Sequence, residues 1–546
     1  MTSSHDFVDA MPFICSQQNV KSAILSFPCG SAAGPDLLRP QHLKDMLASP
    51  GGDTQLLPVL TAFMNLVVRG DVPSAVRPLF FGANLLAFNK KEGGLRPIAV
   101  GNTLRRLSSK LASGAVMPQA AELLMPMQLG CGVPGGAEAI VHAARNYVHK
   151  RNDFTLVKLD FANAFNSVKR QALFDAVDLK FPAISSYVRA AYHQPSHLRF
   201  GDYYISSEKG VQQGDPLGPL LFCLAIHPLL EELCCEFKVA YLDDITIAGR
   251  PYDILHDIAK VEAATESLGL MLNVSKCEIL TNSQKNLDNL QAVHPNMKVV
   301  NLDRATLLGA ALTPGGVSHI LATKIECLET LKRRIYALEA HDALFLLRHS
   351  LAVPRVLYTL RTSPCTGDPL LMRYDGLLRH CATGVLNVGL SDTQWLQASL
   401  PPSFGGLGFR SVAMLAPSAF LASAAAASAL VTRLLPANVT SQPCEFVDAA
   451  AGEWRQLAGQ GACTPVGPMS SFQRAWDRPV VKAALLGIRR ALPAAADQAR
   501  LLAVCSRGAS AWLNALPLSS MALRLNNEEV RVAAGLLRRS LRASMG

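Results

Sequence analysis

The run Val239-Ala-Tyr-Leu-Asp-Asp-Ile-Thr-Ile-Ala-Gly249 sets two adjacent acids inside an otherwise apolar stretch of a 546-residue chain. Val, Tyr, Ile and Thr favour a buried strand, yet a buried carboxylate without a partner costs several kcal/mol or gives up its charge. Two arrangements resolve this conflict. Asp243 and Asp244 stand at the tip of a strand-turn-strand and reach water, as turn geometry favours for Asp, or a divalent cation pairs with them. Three other stretches bear on the choice. Val157-Lys-Leu-Asp-Phe-Ala-Asn-Ala-Phe-Asn166 reads as an apolar strand ending at Asp160 and breaking into a helix; a helix N-cap explains Asp160 as well as a converging site does. Gly210-Val-Gln-Gln-Gly-Asp-Pro-Leu-Gly-Pro219 is a turn-rich loop running into an apolar helix, and its Gln213 and Gly214 allow the backbone to approach a flat ligand closely. Leu272-Asn-Val-Ser-Lys-Cys-Glu278 places Lys276 after a helix that lies just beyond the Asp pair.

The elements that must position these residues follow from the hydrophobic pattern. Across 121–313, short apolar strands such as 155–160 and 239–249 alternate with helical stretches at 217–237 and 257–268, an α+β or α/β pattern. Upstream, Gly93 and Gly94 read as the tip of a hairpin between LLAFNK and LRPIAV. Downstream of Thr313 almost nothing reads as strand: helices with the basic run Lys332-Arg-Arg334 are followed by a Pro/Gly break at 401–408 and an Ala-rich helical region. The stretch 411–431 is uncharged, but it is rich in Ala and Ser and interrupted by Pro417, so it reads as a buried helix and no membrane partner is expected.

Composition narrows the setting. The 13 cysteines show no C-x-x-C and no Cys/His grouping at zinc spacing, so buried free thiols in a reducing, intracellular compartment are expected. The start of the chain lacks a basic segment followed by an apolar one, which argues against secretion. Net charge is +10, and residues 478–546 hold 11 Lys and Arg against 3 Asp and Glu, with Trp512 as the sole aromatic. Arg489, Arg490, Arg538 and Arg539 are therefore expected to hold nucleic-acid phosphates without stacking on bases; the competing reading is a solvated helical face.

In this order, Asp160, the Gln-Gln-Gly-Asp-Pro loop, Tyr241-Leu-Asp-Asp244 and Lys276 resemble motifs A, B, C and D of reverse transcriptases. Gly34-Pro-Asp, Leu38-Arg-Pro-Gln-His-Leu43 and Gly94-Leu-Arg-Pro-Ile-Ala-Val100 resemble fingers segments of the non-long-terminal-repeat retrotransposon and group II intron branch, and Leu307-Leu-Gly309 resembles its primer-grip turn. The likeness runs from about residue 25 to about residue 313. Asn166, where that branch usually shows Asp, and Gln212, where many members show Pro, depart from it.

The resemblance implies an α+β right-hand polymerase. Its expected parts are an N-terminal segment with fingers (1–120), a palm with a small antiparallel sheet and interleaved fingers elements (121–313), a helical thumb (314–400) and a basic, mostly helical extension (401–546). It implies an RNA-directed DNA polymerase working on an RNA template, a DNA or RNA primer and dNTP. Two Mg²⁺ ions, replaceable by Mn²⁺, are expected on Asp160, Asp243, Asp244 and the carbonyl of Phe161. Arg96, Lys90 and Lys91 take the triphosphate roles, Gln213, Gly214 and Tyr241 line the nucleotide site, Phe165 excludes the 2′-hydroxyl, and Lys276 is the general acid. An RNA-templated RNA polymerase, which Phe165 disfavours, and a catalytically decayed nucleic-acid-binding remnant are the alternatives. No endonuclease, ribonuclease H carboxylate set or zinc ribbon is recognisable, so a complete mobile element would need nicking activity from elsewhere.

Overall fold

The computed structural model describes residues 12–90, 93–440, 442–492 and 494–538. The chain divides into two compact units: residues up to Gly136 together with Phe154–Val299, and Ala137–Asp153 together with Val300 onward.

The first unit contains two sheets. Strands β1 (Ala83–Asn89), β2 (Leu95–Gly101), β4 (Ser196–Phe200) and β5 (Tyr203–Ser207) form one, in the order β2-β1-β4-β5. The expected hairpin is there, β1 pairing antiparallel with β2 from Ala83 opposite Gly101 to Asn89 opposite Leu95. The second sheet has β3 (Thr155–Leu159), β6 (Phe237–Tyr241), β7 (Asp244–Ala248), β8 (Glu278–Thr281) and β9 (Lys298–Val299), in the order β6-β7-β3-β8-β9. Its first three pairings are antiparallel and only the β8–β9 edge is parallel. β3 and β7 are central strands covered on both faces, and they accordingly read as almost continuous apolar runs: every residue of β3 except Lys158 is buried. Helix Gly218–Glu232 closes one face with Leu220, Leu221, Phe222, Leu224 and Ile226, all buried in one cluster with Val157, Leu159, Ile245 and Ile247.

Two helix boundaries differ from the sequence reading. The helix expected over 217–237 ends at Glu232, and Phe237 already belongs to β6. The reason lies on another segment: the fully buried Asp257 carboxylate accepts the backbone N–H groups of Cys234 (2.7 and 2.9 Å) and Cys235 (2.7 Å), drawing the chain out of the helix. The helix expected over 257–268 starts earlier, at Pro251, a residue suited to a first helical turn.

After Val300 the second unit has the hairpin β10 (Thr306–Leu307) and β11 (Ala310–Ala311), whose turn residues Leu308 and Gly309 both have positive φ. Beyond it the described residues are helical or irregular, including Pro314–Ile335, Val353–Thr362, Pro369–Leu386, Val412–Leu434, Glu445–Ala458 and Gln473–Ala491. Val412–Leu434 is long and apolar enough to cross a membrane by length and composition alone. It also supplies Val412, Leu415, Ala416 and Ala419 to the main core of this unit and Phe420 and Leu421 to a second cluster with Trp454 and Trp476.

Candidate active site

Strand register brings three carboxylates to the same end of the β3–β7 pair. β3 pairs antiparallel with β7, Leu159 opposite Ile245, so the next residue on β3, Asp160, comes level with Asp244. Asp243 sits in the two-residue β6–β7 turn, closed by the Tyr241–Asp244 pair. Like charges at this spacing oppose one another's ionisation. Burial and then repulsion from Asp160 raise the pKa of Asp243 above the usual carboxylate range, with Arg96 and Lys90 pulling it back. Asp244 is pushed up to about 6 by desolvation and then by Asp243 and Asp160, Lys158 opposing. The Lys158 ammonium is itself engaged by Glu278.

The donor set fits a hard divalent cation. It consists of oxygens whose charges repel without one, and the backbone adds another. Phe161 forms an isolated antiparallel bridge with Leu272, but the bonds of that bridge run from Asn273 N–H to the Asp160 carbonyl (2.8 Å) and from Ala162 N–H to the Met271 carbonyl (2.9 Å). The Phe161 carbonyl takes no part in those two bonds and directly follows Asp160 in the chain.

The remaining expected residues take up different positions. Phe165 is half-buried and stacks on Phe222, ring centroids 4.6 Å apart. Lys90 and Arg96 are exposed on the β1–β2 hairpin and act on Asp243 through their charge; Lys91 lies outside the described residues. Lys276 is exposed, in the turn Val274–Lys276 next to Cys277, whose thiol accepts the Asp160 N–H at 3.4 Å. Gly214 does permit a close approach, but to protein: a Cβ there would lie 2.2 Å from the carbonyl oxygen of Ala99 in β2. Beside it the Gln213 carbonyl accepts the Ala99 N–H at 2.7 Å, so this loop is stitched to the first sheet. Arg489 and Arg490 are exposed on helix Gln473–Ala491 of the other unit, Arg538 ends the last described helix, and Arg539 lies outside the described residues.

Residues 88–309 match the family described as reverse transcriptase (RNA-dependent DNA polymerase). This segment is similar to a reverse transcriptase domain. The Retrotransposable element SLACS 132 kDa protein of Trypanosoma brucei gambiense is 29% identical over 239 residues, 42% of this chain and 20% of that protein. The Retrovirus-related Pol polyprotein from type-2 retrotransposable element R2DM of Drosophila melanogaster is 25% identical over 446 residues, 73% of this chain and 40% of that one. The chain thus spans between 20% and 40% of the length of these relatives, which agree with the non-long-terminal-repeat branch expected from the motifs. A telomerase structure from Candida albicans, in complex with a fragment of telomeric RNA, overlaps 70% of this chain and 63% of its own at 10% identity and a TM-score of 0.37.

Two features of the first unit escape sequence reasoning because they join distant segments. In the first, buried Gln128 clamps the turn that bears Asp243. Its Oε1 accepts the N–H of Leu242 (2.8 Å) and of Gly130 (3.0 Å), and its Nε2 donates to the Leu242 carbonyl (3.0 Å). Leu242 needs holding: its φ of +59° is left-handed, which costs a side-chain-bearing residue roughly 1–2 kcal/mol. Gly130 completes the clamp, since a Cβ there would come within 2.4 Å of the Leu242 nitrogen. In the second, Arg105 and Asp215 form an ion pair at 3.0 Å with side chains 2% and 1% exposed. Tyr192 donates to the same carboxylate at 2.5 Å, and Arg105 also reaches Gln212 and the Phe81 carbonyl.

Gln128→Ala should therefore act on catalysis without touching substrate. It strands two N–H groups and a carbonyl at the turn, and a shift of about 1 Å in a reacting group costs up to roughly 10²-fold in rate. The expected result is a fall in kcat of ten- to a hundredfold with the primer–template Kd within twofold of the parent. A chain with unchanged kcat would show that the clamp does not position Asp243.

Proposed function

We propose that this chain is an RNA-directed DNA polymerase that extends the 3′-hydroxyl of a DNA or RNA primer with deoxynucleotides on an RNA template. The observation that carries the reading is the placement of Asp160, Asp243 and Asp244 at one end of the β3–β7 pair, with the pKa values of Asp243 and Asp244 raised by burial first and then by the neighbouring acids. Asp160 and Asp243 would hold two Mg²⁺ ions between them, or Mn²⁺ in their place, with Asp244 and the Phe161 carbonyl alongside. Such ions activate the primer hydroxyl and neutralise charge on the triphosphate and the departing pyrophosphate.

The other residues bind, orient and exclude. Arg96 and Lys90 offer cations to the triphosphate from the β1–β2 hairpin. Tyr241 and the Gln213–Gly214 backbone border the nucleotide. The Nζ of Lys276 gives its proton to the pyrophosphate oxygen as the bond to the primer forms. The Phe165 ring, braced by its stack on Phe222, leaves a 2′-hydroxyl neither partner nor room, which favours this reading over an RNA polymerase. Retention of all three acids despite their mutual cost speaks against a decayed remnant.

Primer extension by the purified chain tests the proposal, with RNA and DNA templates each offered dNTP or NTP. RNA-templated dNTP incorporation that stops on chelation is expected. No extension on any template would favour the remnant, and extension with NTP alone would favour an RNA polymerase. In the same assay Phe165→Ala should lower dNTP-over-NTP discrimination by about two orders of magnitude, with little loss of dNTP use. Unaltered discrimination in a variant that melts normally would leave Phe165 as a core residue.

A further inference from the structure

Helix Gln473–Ala491 buries Trp476, Val480, Val481 and Ile488. Away from that side it carries Arg474, Arg478, Lys482 and Arg490, all exposed, on an i+4 row completed by Leu486. Successive members leave the helix about 6 Å apart along its axis, a step that an extended nucleotide strand can follow. The row lines an open groove of about 1390 Å³, with the segment 458–469 and Phe472 on its other borders. Phe472 is 58% exposed, Met469 57% and Val466 75%, so the groove pairs a basic wall with an apolar one. The border is anchored: the indole N–H of Trp476 donates to the Ser470 carbonyl, and that of Trp454 to the Trp476 carbonyl, both at 2.7 Å.

The charge of this groove is one-sided. No carboxylate lines it, and none of its four cations has an acidic partner among the described residues. Like charges four residues apart on a helix repel, so the row is unfavourable on an isolated chain and is relieved by a polyanion. A merely solvated face would need neither the groove nor the exposed aromatic at its edge.

We propose that this groove binds single-stranded nucleic acid, with phosphates along Arg474, Arg478, Lys482 and Arg490 and a base stacked on Phe472. The site starts N-terminal to the basic region marked out by composition, includes Arg490 but not Arg489 among its lining residues, and has the aromatic that residues 478–546 lack near it. It lies within the second unit and does not rest on the polymerase reading.

The test is fluorescence anisotropy on the full chain without dNTP, using a labelled oligouridylate of about 16 nucleotides, the matching oligothymidylate and a duplex of equal length. The R474Q/R478Q/K482Q/R490Q chain should bind the single strands at least tenfold more weakly, with the slope of log affinity against log salt shallower by about 3. An R69Q/K180Q/R250Q/K285Q chain makes the same change in net charge at exposed sites of the first unit and should shift the slope by less than about 1. R474K/R478K/K482R/R490K should restore the parent slope. F472A should weaken single-strand binding roughly five- to a hundredfold and leave the duplex unchanged. Equal slopes for the two neutralised chains would overturn the proposal, as would F472A acting equally on strand and duplex. Polyglutamate competing as well as oligouridylate would make the groove an acidic-polypeptide site instead. Because binding is read without turnover, an inactive polymerase would leave this result interpretable.

Discussion

Asp243→Asn should abolish primer extension, by three orders of magnitude or more, in a chain that folds as well as the parent or better. The side chain keeps its shape but loses the charge that a metal site requires. Asp243 titrates high in the fold because of burial and then Asp160, so keeping it ionised near neutral pH works against folding, and the neutral amide removes that cost. The sign gives a pH signature. An acid whose folded pKa lies above its unfolded value makes the fold lose stability as pH rises between the two. The gain in melting temperature of Asp243→Asn over the parent should therefore be present at pH 8 in EDTA and vanish below the ordinary carboxylate range. Mg²⁺ should raise the melting temperature of the parent more than that of the variant. Extension within tenfold of the parent by the folded variant would remove Asp243 from the chemistry.

Arg105→Met is expected to destabilise the first unit by about 3–5 kcal/mol, because it leaves the Asp215 carboxylate buried without its cation. Burial alone would make Arg105 easier to deprotonate; Asp215 and then Tyr192 overcome it, so its pKa is raised and the guanidinium stays charged. The loss should extend to activity. Asp215 accepts the Leu217 N–H at 3.1 Å where helix Gly218–Glu232 begins, and Gln212 is held by Arg105. The loop carrying Gln213 thus loses two anchors. Arg105→Met combined with Asp215→Leu should recover much of the stability, since an apolar pair of similar size carries no stranded charge. Urea denaturation followed at the first unit checks this; a single variant within about 1 kcal/mol of the parent would mean that the pair is not needed for stability.

These two experiments probe different kinds of information. Asp243 was legible in the sequence because chemistry and local pattern coincide there: two acids interrupt an apolar alternation, and Asp160 ends another. Chain periodicity was likewise enough to find β3, the β1–β2 and β6–β7 hairpins and the helical second unit. The end of helix Gly218–Glu232 was not legible, because Asp257, two dozen residues downstream, draws Cys234 and Cys235 away from it.

Arg105 and Gln128 read as ordinary polar residues in the sequence, since their partners lie 110 and 114 residues further on. Gly214 reads as a glycine of a turn-rich loop, and only the fold shows that the carbonyl of Ala99 in β2 occupies the space a side chain there would need. The sequence by itself determined which residues carry charge and which segments become strands or helices, because propensity and amphipathic period act over a few neighbouring residues. Only the tertiary structure decided which buried polar groups satisfy one another and which cations share a groove with an exposed ring. Desolvation makes each buried donor and acceptor find a partner, and the path of the whole chain selects that partner.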